Sequence, residues 1–303
     1  MKKQITTLLL VLHVLTASSQ TRLDSCIAYF EEVKQATQQT QELWNKNLYA
    51  PILLVDPQTR EIITNIQDSA GTLTPYKTIF TGKLPAAVNI SNTSVHWNGQ
   101  HWAMIMLPLP KDKKARTNLI AHELFHRAQK SLGFKAYNPD NAHLDDKDAR
   151  IYLRLELESL KSALTASSKT AIKTHIANAL AFRKYRYLLY PAADSTENLM
   201  ELNEGICEYT GMMHSGRTSR EMRAWFHQRI DAFIKSPSYI RSFAYEAVPV
   251  YGYLLNDVKP HWNKNINNNT HLTSLFETSF NIRLPADIAS YVSKNSVHYK
   301  GDV

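Results

Sequence analysis

Cysteine is scarce in this 303-residue sequence, which contains Cys26 and Cys207 and no other. Two cysteines are too few for a scaffold held together by disulfides. Nine glycines and twelve prolines are likewise too few for a collagen-like or disordered chain. No segment repeats with a period of about 20–50 residues, which argues against a solenoid or a propeller. With 44% hydrophobic residues, the sequence is that of a folded globular protein.

The apolar run from Ile5 to Leu15 is too short to cross a bilayer, and no other stretch is apolar enough to do so. It follows Lys2 and Lys3 and precedes the small residues of Ala17-Ser18-Ser19. This order predicts a secretory signal peptide over residues 1–19, and hence a secreted or periplasmic protein without an integral membrane span after cleavage. The alternative is an uncleaved N-terminal anchor.

The chain carries a net charge of +8, and the excess is spread over many predicted helices. Such a distribution suits solubility or affinity for anionic surfaces. A secreted protein has little reason to meet chromosomal DNA, so we expect no nucleic-acid partner. The oligomeric state is left open by the sequence.

Residues 49–110 have the alternating and β-branched patterns of a mostly antiparallel sheet. Asn98-Gly99 is a strong signal for a tight turn between two of the strands. The predicted strands are Tyr49–Val55, Glu61–Ile66, Tyr76–Phe80, Ser94–Trp97 and His101–Leu107.

Helical periodicity follows the strands from Arg116 almost to the end of the chain, and a further helix from about Asp24 to Asn47 precedes them. Gly133 stands where a helix C-cap belongs. The other predicted helices are Asp148–Leu164, Thr170–Leu189, Glu197–Met213, Ser219–Ile234, Tyr239–Leu255 and short ones near Leu272 and Ala286.

Strands first and helices second indicate an α+β protein, with a mostly antiparallel sheet followed by an active-site helix and a large helical subdomain. No linker is long or biased enough to separate two independent domains. We therefore expect a single catalytic domain over residues 20–303, with a β-rich lobe at about 49–110 and a helical lobe at about 115–303.

The segment Ala121–His126 contains the pattern HExxH. Residues four apart share a helix face, so His122 and His126 can present two imidazole nitrogens to one metal ion. Glu123 lies about 100° round the helix, where its carboxylate can hold and deprotonate a metal-bound water. The pattern predicts a hydrolytic zinc site, while two surface or capping histidines are the alternative.

A hydrolytic zinc ion needs a third protein ligand, for which Glu204 is the first candidate. Its neighbour Gly205 allows another helix to approach closely. Glu208 is expected on the same helix face, where it can accept the second N–H of a metal-bound histidine. Glu156, among apolar positions of the helix 148–164, is the rival ligand, although a buried partner for an arginine is its more ordinary role.

The sequences HELFH at 122–126 and LNEGICEYTG at 202–211 together resemble the gluzincin metallopeptidases, the group of thermolysin and the aminopeptidase N type enzymes. The resemblance implies one zinc ion bound by His122, His126 and Glu204, with Glu123 as general base and Glu208 beside the ligands. It also implies a peptide or protein substrate. The intervening residues 127–203 are more numerous than either named group uses.

The same resemblance implies a tyrosine that stabilises the oxyanion from a later helix, before a glycine. Tyr251, followed by Gly252, is the first candidate, and Tyr245 is the second. His214 and His227 are further candidates by analogy with thermolysin. Ordinary packing is the alternative for each tyrosine, since the chain contains 15 of them.

Strand His101–Leu107, directly before the active helix, is expected by the same resemblance to be an edge strand that pairs with extended substrate, with an ordinary core strand as the alternative. Trp97 and Trp102 beside it line the substrate or simply pack against the sheet. Cys26 and Cys207 either form a disulfide in an oxidising compartment or are buried as small apolar side chains.

The sequence therefore predicts a secreted zinc-dependent metallopeptidase whose endo- or exo-action is left open. The alternative is a non-catalytic zinc-containing protein of the same fold that binds peptides.

Overall fold

The computed structural model describes residues 2–299, with side chains from residue 20 onward, and divides into two compact units. Unit 1 comprises Met1–Gln41 and Asn47–Arg127, and unit 2 comprises Glu42–Lys46 and Ala128–Val303. The α+β class is confirmed, because one mixed six-stranded sheet is accompanied by many helices.

Unit 1 is built on a sheet with the strand order β3-β4-β2-β1-β6-β5. Its neighbouring strands are antiparallel except for β1 and β6, which are parallel. The predicted run Tyr76–Phe80 spans the turn of a hairpin rather than one strand. The strands are β1 Ile52–Val55, β2 Glu61–Thr64, β3 Thr74–Tyr76, β4 Ile79–Lys83, β5 Thr93–Trp97 and β6 Gln100–Met106.

Strand β6 is an interior strand, so the expectation that His101–Leu107 forms a sheet edge is wrong. The turn at Asn98-Gly99, where both residues have positive φ, folds β5 back along β6. Backbone groups on that side of β6 therefore pair with β5, and the edge of the sheet is β5.

One face of the sheet packs against two helices, α1 (Lys2–Gln39) and α2 (Lys113–Ala128). Leu54 and Ile105 from the strands contact Phe30 of α1 and Ile120 of α2 in one buried cluster. Because side chains alternate along a strand, the other face buries a separate cluster that includes Trp102. Trp102 is fully buried, and its indole N–H donates to the carbonyl of Trp97 at 3.0 Å, so both residues pack as part of the fold.

Helix α1 begins earlier than predicted, and a short 3-10 turn at Gln41–Leu43 follows its end. The side chains of the predicted signal peptide, residues 1–19, lie outside those that the structure describes, so the signal peptide stays a prediction. Within the residues that the structure describes, no helix combines the length and the apolar character that a bilayer crossing needs.

Unit 2 is helical, as predicted for the second half of the chain. Its start is later than the predicted lobe boundary near residue 115, because α2 packs on the sheet. Gly133, with φ +84°, ends the 3-10 turn Gln129–Leu132 that follows α2, as the C-cap signal predicts. The helices are α3 Lys147–Thr165, α4 Lys169–Leu189, α5 Ala193–Met200, α6 Ile206–His214, α7 Ser219–Phe233, α8 Ala244–Asn256, α9 Leu272–Ser279 and α10 Ile288–Ser296.

The predicted helix Glu197–Met213 is not one regular helix. A π-helical turn, Glu201–Gly205, separates α5 from α6, and the N–H of Ile206 donates to the carbonyl of Glu201 five residues back. A π turn contains one residue more than an α turn and is found disproportionately at functional sites. This turn carries the LNEG sequence.

A network of charged side chains that are fully buried lies within unit 2. Arg183 and Arg186 of α4 contact Glu156 of α3, while Arg186 also pairs with Glu197 and Arg183 with Glu201. Burial raises the pKa of Glu201 to about 7 against the opposing pull of Arg183. Burial acts on Glu197 too, but Arg186 outweighs it and the pKa of Glu197 falls to about 2.

Candidate metal centre

The HExxH residues lie on the buried face of α2, within unit 1. His122 and Glu123 are buried, with exposed fractions of 4% and 3%, and His126 is half-buried. The Nε2 atoms of His122 and His126 are 3.0 Å apart, and their ring planes make an angle of 66°. The two imidazoles therefore point to one place, as the predicted spacing requires.

Helix α2 is fixed to unit 1 near both ends by arginines. The guanidinium of Arg116 pairs with Glu32 of α1 at 2.7 Å and donates to the carbonyl of Pro110 at 2.8 Å. Near the other end, Arg127 Nε donates to the carbonyl of His101 in β6 at 2.7 Å. These bonds set the rotation of α2 about its axis, and with it the direction in which the two histidines point.

The separation of the two imidazole nitrogens fits a zinc site. Zinc binds histidine nitrogen at about 2.0–2.1 Å in a tetrahedral arrangement, which separates two such nitrogens by about 3.3 Å. The 3.0 Å between the two Nε2 atoms of His122 and His126 is close to that value. The donor set is therefore compatible with a divalent metal that accepts nitrogen ligands.

Glu204 lies on the π turn, within unit 2, and each of its two carboxylate oxygens accepts a hydrogen bond from a different residue. The hydroxyl of Tyr245, from α8, donates to Oε2 at 2.6 Å. The side-chain amide of Asn203 donates to Oε1 at 2.9 Å. Two donors on one carboxylate limit its rotation, which prepares Glu204 to hold a ligand in a defined direction.

Glu208 is buried one turn further along, on α6. Its Oε1 accepts from Arg229 of α7 at 2.7 Å, and Arg229 also makes two bonds to Glu246 of α8. The charge of Glu208 is therefore balanced by an arginine from a neighbouring helix. The role of Glu208 toward a histidine stays a prediction.

The position of Tyr251 does not suit the role of oxyanion donor that was predicted for it. Tyr251 is fully buried, and its hydroxyl donates to Glu156 at 3.2 Å while its ring stacks on Phe276. The tyrosine on Glu204 is Tyr245, the second candidate. Tyr245 is therefore the better candidate for the oxyanion donor.

Glu156, the rival ligand, forms ion pairs with two arginines. It accepts from Arg183 Nε at 2.7 Å and lies 3.0 Å from Arg186, with all three side chains buried. The more ordinary role given to it by the sequence is confirmed.

The two histidines offered as further oxyanion donors differ in their surroundings. Burial lowers the pKa of His214, at the end of α6, to about 4, so this ring is neutral at pH 7. His227 on α7 is half-buried, and burial followed by the charge of Lys161 lowers its pKa.

Cys26 and Cys207 are both buried and do not form a disulfide, which favours the alternative of buried small side chains. The thiol of Cys207 donates to the carbonyl of Asn203 at 2.9 Å, within unit 2. Burial raises the pKa of Cys26 to about 11.

The close approach predicted at Gly205 is present. A Cβ atom placed there would lie 2.6 Å from Val248 Cγ2 and 3.0 Å from the carbonyl oxygen of Ala244, both on α8. The missing side chain therefore lets the π turn lie directly against the helix that supplies Tyr245.

Gly205→Ala is expected to destabilise the protein by about 1–3 kcal/mol, because the new methyl group overpacks against α8. The loss would occur although alanine is the better helix former by about 0.5–1 kcal/mol. Denaturant unfolding measures it. Val248→Ala in the same chain should restore part of the stability, whereas a Gly205→Ala protein as stable as the native chain would show that the turn does not need the glycine.

Sequence reasoning missed the residues that hold the predicted site in place. Asn203 stands directly before Glu204 in the LNEG motif. This adjacency is the sequence signal that could have identified it as a partner of the carboxylate. Arg183, Arg229 and the preference for Tyr245 depend on contacts between distant helices. No short-range pattern in the sequence marks such contacts.

Comparison with known proteins adds no family assignment, since no protein-family model, curated protein or solved structure matches the chain.

Proposed function

We propose that this protein is a secreted or periplasmic zinc-dependent metallopeptidase that hydrolyses peptide bonds. The observation that carries the proposal is the convergence of His122 and His126, whose Nε2 atoms lie 3.0 Å apart beside the buried Glu123. An HExxH helix that turned its histidines to solvent would give no such pair. The LNEG turn, with its doubly held Glu204, supplies the partner motif.

His122, His126 and Glu204 would hold one zinc ion, leaving a position open for water and substrate. When bound, zinc lowers the pKa of water and polarises a carbonyl group as a Lewis acid. The alternative third ligand is the thiol of Cys207, since two imidazoles and one thiolate are also a donor set that zinc accepts. Glu208 is proposed to accept the second ring N–H of one histidine, which fixes that ring's tautomer.

Glu123 is the proposed general base. Its place next to His122 on α2 sets its carboxylate beside the ligands, where it takes the proton from the attacking water and passes it to the leaving amine. Its burial excludes bulk water, which strengthens the interaction of the carboxylate with that proton.

Tyr245 is the proposed donor to the oxygen of the scissile carbonyl. Its single O–H donates to Oε2 of the proposed ligand Glu204 at 2.6 Å. This proton would be released to the scissile carbonyl when that carboxylate oxygen binds zinc instead. A phenol donates to the negative charge that develops on the carbonyl oxygen as the carbon becomes tetrahedral.

Tyr245→Phe is expected to lower kcat by about 10²-fold or more, with little change in KM, because the hydroxyl acts on the transition state. Steady-state kinetics and the zinc content of the variant measure this. Tyr253→Phe, on the same helix, is the matched control and should leave kcat unchanged. If zinc affinity falls together with kcat, Tyr245 acts by holding Glu204, and the donor role is wrong.

A digest of a peptide library, with and without a chelator, tests the proposal. The native chain should cleave peptides, lose this activity in the chelator and recover it when zinc is returned. Zinc binding without cleavage of any peptide would indicate the alternative, a peptide-binding protein of the same fold. Cleavage that is insensitive to chelators would show a peptidase of another class.

A further inference from the structure

The π-helical turn Glu201–Gly205 carries the proposed ligand Glu204, and π turns are rare, occurring mostly as single turns inserted between stretches of α-helix. Such a turn persists only where the surrounding structure holds it. The side chains that contact it from other helices of unit 2 therefore show what selects this conformation.

Arg183 of α4 forms an ion pair with Glu201, the first residue of the turn. Its Nη2 lies 2.6 Å from Glu201 Oε1, and its Nη1 lies 3.0 Å from Oε2, which makes a bidentate pair. Both side chains are fully buried. The same guanidinium is oriented by Glu156, by the hydroxyl of Thr273 at 3.2 Å and by the ring of Tyr251.

Burying this ion pair does not by itself explain why it is there. Desolvation of two buried charges costs about as much as their attraction returns, and well-packed apolar residues often replace such pairs without loss of stability. What apolar residues do not supply is direction, because a bidentate guanidinium fixes a carboxylate in one orientation. The pair therefore contributes more to the conformation of the turn than to the free energy of unfolding.

We propose that Arg183 is a positioning residue, which through Glu201 holds the π turn in the conformation that presents Glu204. This inference rests on the proposed function. Because a π turn takes in one residue more than an α turn, its collapse to α-helix would rotate the residues beyond it by roughly 100° relative to α5. Glu204 would then lose its hydrogen bond from the hydroxyl of Tyr245, and its carboxylate would no longer point in the direction needed of a ligand.

The double variant Arg183→Met/Glu201→Leu tests the inference, because it removes both charges of the pair and leaves the net charge of the buried network unchanged. Arg186→Met/Glu197→Leu is a matched control. It removes another fully buried bidentate pair, which joins α4 to α5 rather than to the turn. Thermal unfolding establishes that both variants fold.

Two readouts are taken on each variant: titration with Co²⁺, followed by its visible absorption, and amide hydrogen exchange of residues 201–208 in the metal-free chain. In Arg183→Met/Glu201→Leu we expect a roughly 10–100-fold weaker Co²⁺ affinity with an altered spectrum, and exchange at least about tenfold faster. The control variant should match the native chain in both. Affinity and exchange equal to those of the control would overturn the inference.

If the native chain binds no Co²⁺, the proposed function fails, and hydrogen exchange alone still decides whether Arg183 holds the turn. If Arg183→Met/Glu201→Leu does not fold, Glu201→Gln replaces it. The glutamine keeps the shape and one acceptor for Arg183, so a positioning role predicts a smaller change of the same kind in both readouts. No change in Glu201→Gln would then count against the role.

Discussion

Glu123→Gln is expected to keep the bound zinc while kcat falls by about 10³-fold or more. Glutamine has the shape of glutamate but cannot accept the proton of the attacking water. The buried position of Glu123 leaves little room for another base to replace it. Zinc content and steady-state kinetics on the same preparation separate the two effects.

Glu31→Gln is the control for this change, since Glu31 is exposed on α1 and pairs with Lys34. It should keep both metal and turnover. If Glu123→Gln retained full activity, the general base would be another group and the hydrolytic interpretation of the HExxH pattern would be wrong. Loss of zinc from the same variant would assign Glu123 a structural part instead.

Glu204→Ala is expected to lower zinc affinity by about 10²-fold or more, because it removes one of three proposed protein ligands. The carboxylate is held by Tyr245 and Asn203, so its loss leaves two donors that no longer share an acceptor. Competition with a chromophoric chelator measures the affinity, and activity should fall in parallel at limiting zinc.

Cys207→Ser is the matched variant, because serine keeps a donor for the carbonyl of Asn203 while it removes the thiolate ligand. We expect it to bind zinc as the native chain does. The opposite pair of results is loss of zinc from Cys207→Ser and its retention in Glu204→Ala. It would make the thiol the third ligand, and the ligand set that the gluzincin resemblance implies would be wrong.

Local patterns were sufficient for much of the fold. The apolar runs at β1 and β2, the Asn98-Gly99 turn and the helical period at α2 are each set by a few neighbouring residues. The position of Gly133 after α2 follows from the same kind of local chemistry. Such signals survive in a single sequence because neighbouring residues generate them.

Contacts between distant elements were predicted less well. Which strand lies at the edge of the sheet depends on how the strands pair. Strand β5 pairs with the side of β6 that was expected to be open. The π turn between α5 and α6 is contacted by Arg183 of α4, which lies 18 residues before Glu201 in the sequence. Neither fact leaves a periodic trace along the chain.

The choice between two tyrosines shows the same limit at the candidate site. Tyr251 precedes a glycine, as the resemblance requires, but Gly252 serves another purpose. A Cβ atom there would lie 2.6 Å from Trp262 and 2.7 Å from Tyr209, so this glycine permits ring packing. Tyr245 stands on the part of α8 that faces the π turn, and only the packing of the two elements reveals it.

Metal analysis of the purified chain is the most direct test of the central claim, which is that HExxH and LNEG together form a zinc site. The account predicts close to one zinc per chain at neutral pH, and a loss of most of it in His126→Ala. A native chain that takes up no metal when zinc is supplied would contradict the account, since its two histidines would then be ordinary side chains of a structural helix.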